Sequence, residues 1–225
     1  MGNTSVKNKN PFSSTLPTGA TRSERKEAGK AARQKVPIES HAKLNIASKG
    51  RDIVALLEKS NEGRVAELVP IRYERMLVSP FTFYRGSAAL MALDLADSPS
   101  SGHIVQSCGD CHIQNFGAFA TPERKIILDI NDFDETLPAP WEWDVKRLAA
   151  SLVLAATSNR FPVELGQEAA LRLARGYREQ IAELSEMSLL ERWYSHLEIQ
   201  SAMSMAQGDT RRRGQRLARE FGSRA

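Results

Sequence analysis

The sequence predicts an α+β fold, mostly α, in which a helical N-terminal half leads into a small β-hairpin region and then a helical bundle. Three observations carry that expectation. Residues 88–96 form an uninterrupted apolar helix pattern closed by Ser98, Pro99 and Gly102. Two β-rich runs, 116–119 and 125–130, face each other across Thr121, Pro122 and Glu123, as the arms of a hairpin do. After Pro138 and Pro140 the helical period returns over 141–157, 162–187 and 188–205.

The elements follow in chain order. Residues 1–21 are rich in Asn, Ser, Thr, Pro and Gly and are expected to be disordered. Residues 23–35 suit a charged helix without an apolar stripe, which is weak on its own. The body is expected to start near Ile38. Ile53, Leu56, Leu57, Val65, Leu68 and Val69 mark short amphipathic helices, broken at Gly63 and Pro70. Residues 73–78 read as another short helix, stopped by Ser79 and Pro80, and 81–86 as an extended segment or helix entry. Ile104 and Val105 form a short strand. No internal repeat is present.

Charge narrows the function classes. The 225 residues carry 31 Lys and Arg against 27 Asp and Glu. Residues 1–36 hold eight basic and two acidic residues, and 206–225 hold six and two, so the body keeps 17 basic against 23 acidic. A folded nucleic-acid reader puts its basic stripe on the ordered body. Here the positive charge belongs to two tails, 1–37 and 206–225, flanking a domain at 38–205, and no specific nucleic-acid partner is expected. No apolar run suggests a membrane span, and Gly2 is followed by Val6 where myristoylation needs Ser or Thr. With two cysteines and no apolar leader, the sequence predicts a cytoplasmic protein.

Chemistry concentrates in the middle of the chain. Cys108, Gly109, Asp110, Cys111, His112, Ile113, Gln114, Asn115, Phe116 and Gly117 are followed by the acidic run Asp129, Ile130, Asn131, Asp132, Phe133, Asp134, Glu135. Asp110 and Asn115 stand five apart in a loop leaving a strand. That is the spacing of a kinase catalytic loop, whose Asp orients the acceptor hydroxyl and whose Asn holds a metal. The form Gly-Asp-x-His-x-x-Asn resembles the aminoglycoside and choline kinase branch. Phosphoryl transfer asks for positioning and charge neutralisation, and magnesium takes one or two carboxylates beside phosphate oxygens and water. Asp110 is thus expected as base or aligner, with Asn115, Asp132 and Asp134 as metal ligands. Asp129 remains open as the alternative to Asp132. The plainer alternative is that these acids cap a turn and the following helix.

Two further resemblances complete the site. The run Trp141, Glu142, Trp143, Asp144, Val145, Lys146, Arg147 resembles the helix that follows the metal loop in small-molecule kinases, which implies that Asp144 braces the catalytic loop from behind. His112 is expected in structural support, Trp141 and Trp143 in the core, and Arg85 as a phosphate contact for the nucleotide. The string from Arg72, Pro80 and Arg85 through Gly117, Thr136 and Ser151 resembles the bacterial family DUF2252, over roughly residues 40–200. Membership implies no activity by itself. It does imply a longer chain with a later Gly-rich stretch and a Lys-Glu-Ala segment, a permuted nucleotide lobe.

The motif chemistry predicts a magnesium- and ATP-dependent kinase-like phosphotransferase acting on a small-molecule hydroxyl or amine, built like the C-terminal lobe of a kinase. The chain has no GxGxxG and no strand-borne nucleotide Lys. Its Arg-rich end predicts a truncated or frameshifted member, half a site that awaits a missing C-terminal segment or partner. The rival is a pseudokinase-like remnant or partner-binding module. Cys108, Cys111 and His112 also fit a c-type haem attachment pattern or a redox pair, while zinc would need two more soft ligands.

Overall fold

A computed structural model describes residues 19–43 and 52–198. The expectations for 1–18 and for the tail at 206–225 lie outside the described residues. The fold is α+β and mostly helical, with small antiparallel sheets.

Helix α1, Arg22–Lys35, starts at a Thr21–Glu24 capping box and buries none of its residues, as a charged helix without an apolar stripe must. Helix α2, Ile53–Lys59, is capped by Asp52, whose carboxylate accepts the Ala55 amide at 2.9 Å. Pro70 does not break the next helix. It sits in the first turn of α3, Val69–Met76, where a missing N–H costs nothing. Ser79 and Pro80 likewise both end α3 and begin α4, Pro80–Arg85, through a Ser79–Thr82 capping box, so 81–86 is helical and not extended. Helix α5, Ala88–Ala96, occupies the span its apolar run predicts.

Strand β1, Ile104–Ser107, leads into the loop that carries Asp110. Strands β2, Phe116–Ala120, and β3, Ile126–Ile130, form the expected antiparallel hairpin, with Phe116 opposite Ile130. Strand β4, Leu137–Pro140, pairs antiparallel with β1 and was not expected, because it contains two prolines. Pro138 and Pro140 stand opposite Gln106 and Ile104 in a two-stranded ribbon, and an edge strand tolerates residues that cannot donate.

The ribbon feeds directly into α6, Trp141–Ser158, which packs on α7, Val163–Glu186. Gly166 permits that contact: a Cβ there would stand 2.9 Å from Val153 Cα. The helix expected over 188–205 is much shorter. Helix α8, Leu189–Tyr194, is followed by strand β5, Leu197–Glu198, paired on β3. Residues beyond 198 lie outside the described region. No described helix is long and apolar enough to cross a membrane.

The interior is as polar as it is apolar. Met76, Phe81, Ala88, Leu95, Cys108, Cys111 and Ala139 are buried, and so are Ser87, Ser107, His112, Asn115, Glu142, Arg147 and Ser151. Five of those seven polar residues belong to the Asp110 loop or to α6, so the loop is held by hydrogen bonds more than by apolar packing. Trp141 is half-buried, stacks on Tyr177 at 5.5 Å and donates its indole N–H to Ser101 Oγ at 2.9 Å.

Candidate active site

The loop between β1 and β2 folds over the N-terminal turns of α6, and α6 supplies its anchors. Asp144 accepts the amides of Cys108 at 2.7 Å and Gly109 at 3.1 Å, one on each carboxylate oxygen. Ser151, fully buried, accepts the Ile113 amide at 3.0 Å and donates its hydroxyl hydrogen bond to the Leu148 carbonyl at 2.7 Å. Asp144 and Ser151 therefore hold the two ends of the loop from beneath.

Asp110 projects from the middle of this loop and is only 15 % exposed. Its Oδ1 accepts two donors from Arg147 of α6, Nε at 2.8 Å and the neighbouring Nη2. Its Oδ2 lies 3.4 Å from His112 Nε2. His112 Nδ1 accepts the Gln114 amide at 3.2 Å, which places the neutral ring's proton on Nε2, facing Asp110. Burial alone would raise the Asp110 carboxyl. The His112 hydrogen bond and the charge and hydrogen bonds of Arg147 outweigh it and hold the carboxyl below its usual range.

That depression has a sign in acid. A carboxylate with a lowered folded pKa adds stability above its unfolded value, here 3.8, and that stability is lost as pH falls through the folded pKa. The thermal midpoint of the native chain is expected to exceed that of Asp110→Asn at pH 5 to 7. The gap should narrow as pH falls below about 4, since a protonated Asp and an Asn carry the same charge. Melts at matched pH values would check this, and a gap independent of pH would refute the ionised pair.

Asn115 joins the loop to the hairpin end. Its Nδ2 donates to the carbonyls of Asp110 and Asp132, both at 3.0 Å, and its Oδ1 accepts the Asp132 amide at 3.0 Å. The side chain is buried, and one Oδ1 lone pair remains. Asp132 and Asp134 are exposed at the lip beside it, and Asp132 Oδ1 accepts the Asp134 amide at 3.1 Å. Asp129 lies in β3 opposite Gly117, its carboxylate accepting the Ile130 amide, outside the cleft that Asp132 and Asp134 line.

This cleft, about 850 Å³, has two walls of opposite charge. Asp110, Asn115, Asp132, Asp134 and Glu135 form one; the other, built by α3, α4 and the turn before them, carries Arg64, Arg72, Arg75 and Arg85. Arg85 is exposed and shares the cleft with Asp110, Asp132, Asp134, Glu135 and Asn115. Burial raises the Glu135 carboxyl, and the charges of Asp110, Asp132 and Asp134 push it further. Arg64, 3.8 Å away, relieves it.

Magnesium can be weighed against these donors. Among the described residues no three Asp, Glu, His or Cys side chains converge as a cage. Two exposed carboxylates and a spare amide lone pair beside an open cleft nevertheless suit a cation that brings water and phosphate oxygens of its own.

Sequence reasoning did not single out Arg147, Ser151 or Glu135 as parts of the site. Arg147 stands three residues after Asp144, on the same face of α6, and that spacing is the signal that could have found it. Cys108 and Cys111 are buried free thiols beneath the site. A hydrogen bond between them lowers the Cys108 thiol against the effect of burial and raises that of Cys111. All three residues of the Cys-x-x-Cys-His pattern are buried, Cys108 and His112 4 % and Cys111 6 % exposed.

No curated protein and no solved structure matches this chain. A family model described as an uncharacterized protein conserved in bacteria matches residues 64–225, Arg-rich end included. That span is well over half of the sequence and contains every cleft-lining residue except Gly63, so the chain belongs to the DUF2252 family.

Proposed function

We propose that the cleft is the site of a kinase-like phosphotransferase that moves a phosphoryl group from ATP to a small-molecule hydroxyl or amine. The supporting observation is the triple bond set of Asn115, which draws the Asp110 loop and the Asp132 backbone together at 3.0 Å on the floor of one open cleft. An Asp, an Asn and a second Asp brought together in that order give the minimal C-terminal-lobe arrangement for phosphoryl transfer.

In this reading Asp110 aligns the acceptor. A carboxylate held ionised by Arg147 and His112 is a weak base, so it accepts a hydrogen bond from the attacking hydroxyl and sets its direction. Asp132 and Asp134, with Asn115 Oδ1, are the residues that would hold magnesium. Magnesium, when bound, neutralises charge on the transferring phosphoryl group. Arg85 meets phosphate from the opposite wall, and Asp144 keeps the loop in place.

A thermal melt of the chain with and without magnesium–ATP tests this, alongside Asp132→Asn. A ligand that binds only the folded state adds about 2.7 kcal/mol at 100 times its dissociation constant. A magnesium-dependent rise that Asp132→Asn abolishes is the expected result. A cooperative melt without any rise would refute it. One observation favours a second reading, a pseudokinase-like module: the two-point Arg147 bond to Asp110 also suits a purely structural aspartate.

A further inference from the structure

The four arginines of the basic wall are not equivalent. Arg72 is locked: it donates to Asn61 Oδ1 at 2.9 Å, to Ser60 Oγ at 3.3 Å and to the Gly86 carbonyl at 2.6 Å. Arg64 is half-committed, bonded through Nε to the Ser60 carbonyl at 3.0 Å and facing Glu135 at 3.8 Å. Arg75 and Arg85 are exposed, line the same cleft, and have no side-chain hydrogen bond or ion pair among the described residues. They close the last turns of successive helices, α3 and α4, which a short linker folds against one another.

Among the described residues the facing wall is not their partner. Asp110 is bound to Arg147, and of the cleft carboxylates only Glu135 has an ion pair with the arginine wall, through Arg64. Two forked guanidiniums on residues that line one concavity match an oxyanion with several acceptor oxygens, and phosphate is the group this pairing serves best.

We propose, building on the phosphotransferase reading of this cleft, that Arg75 and Arg85 together form a phosphate grip, so that the ligand reaching Asp110 carries a phosphate or diphosphate group of its own. The group belongs either to the nucleotide or to a phosphorylated acceptor. In both cases the grip works without metal, because the guanidiniums supply the charge that magnesium supplies on the acidic wall.

Calorimetric titration of the full chain with sodium pyrophosphate, free of divalent metal, tests the grip. Arg75→Ala and Arg85→Ala are each expected to weaken binding about tenfold, as loss of a charge-assisted hydrogen bond does, and the double variant further. Arg172→Ala, on the exposed face of α7, serves as control and should titrate as the native chain does. No pyrophosphate binding, or equal losses in all three single variants, would overturn the proposal. Competition assigns the source: displacement by metal-free ATP identifies the nucleotide, and displacement by glycerol phosphate alone identifies the acceptor.

The two readings fail separately. Arginine-dependent pyrophosphate binding in a chain whose melt ignores magnesium–ATP keeps the grip and removes the phosphotransferase. A magnesium–ATP shift, with pyrophosphate binding that ignores Arg75→Ala and Arg85→Ala, does the reverse. Matching circular dichroism melts of the variants and the native chain would exclude unfolding as the cause of any loss.

Discussion

Arg147→Met is expected to lower the unfolding free energy by about 3–5 kcal/mol, the usual cost of leaving one member of a buried ion pair alone. Arg147 is 2 % exposed and works in four directions at once. It binds Asp110 through two donors and the Tyr84 carbonyl at 2.8 Å, and it approaches Met91 Sδ at 3.5 Å. Its guanidinium also lies over the Tyr84 ring at 4.3 Å. Tyr84 adds a return bond from its hydroxyl to the Arg147 carbonyl at 2.8 Å, and burial raises that phenol well above its ordinary value. One side chain thus joins α4, α5 and α6 to the loop that carries Asp110.

Lysine cannot replace it, because a single ammonium lacks the fork that binds Asp110 and Tyr84 together. Arg147→Lys should therefore fall close to Arg147→Met. Asp110→Asn strands the same buried guanidinium, and the double variant Asp110→Asn/Arg147→Met should recover part of the loss, since neither charge is then left without its partner. Urea unfolding of the native chain and the four variants would read these differences. A loss below about 1 kcal/mol for Arg147→Met would mean that the pair is solvated and that α6 does not hold the loop through it. The outcome also governs any kinetic study: activity lost in Asp110→Asn says nothing about alignment until the folded fraction is known.

Much of this architecture is legible in the chain because it is local. The apolar run of α5, the hairpin of β2 and β3, and the long periods of α6 and α7 are each set by residues within one turn or one strand of each other. The misreadings have local causes too. Ser79 and Pro80 look like a stop, yet Ser at the cap and Pro in the first turn also start a helix, and α4 uses them so. Pro138 and Pro140 argue against a strand until the ribbon is known to have only two strands. The helical period after 188 ends at Tyr194 because Leu197 finds a place on β3.

The candidate site divides the same way. Asp110, Asn115 and Asp132 are recognisable through spacing along one stretch. Arg147, Ser151, Glu135 and the arginine wall are not, because what makes them relevant is contact across 37 to 71 residues. A lone Arg in a helix with charged neighbours reads as solvent-facing, and within α6 only its three-residue spacing from Asp144 hints that it turns inward. The sequence of α3 likewise gives no hint that Arg72 is spent on Gly86 while Arg75 has no side-chain partner among the described residues.

Gly109→Ala is the second large effect, and it reaches Asp110 from the opposite side. Gly109 has φ +79°, and a Cβ built there would stand 1.9 Å from the Glu135 carbonyl oxygen and 2.7 Å from its carbon. Both obstacles are backbone, so no rotamer change clears them. The amide of Gly109 meanwhile donates to Ser107 Oγ and to Asp144, each at 3.1 Å, which stops the loop from moving away. Left-handed backbone costs a non-glycine about 1–2 kcal/mol, and overpacking about 1–3 kcal/mol more. Gly102 separates the two contributions. Its φ is +83° and nothing lies within 4 Å of its Cβ position, so Gly102→Ala should show the backbone cost alone. In urea melts Gly109→Ala should lose at least about 1 kcal/mol more than Gly102→Ala. If the two variants were equally stable, the Asp110 loop would not be seated against Glu135. If Gly109→Ala loses the larger amount, the close approach of two backbones helps to fix the aspartate that the proposed chemistry needs, and only glycine permits it.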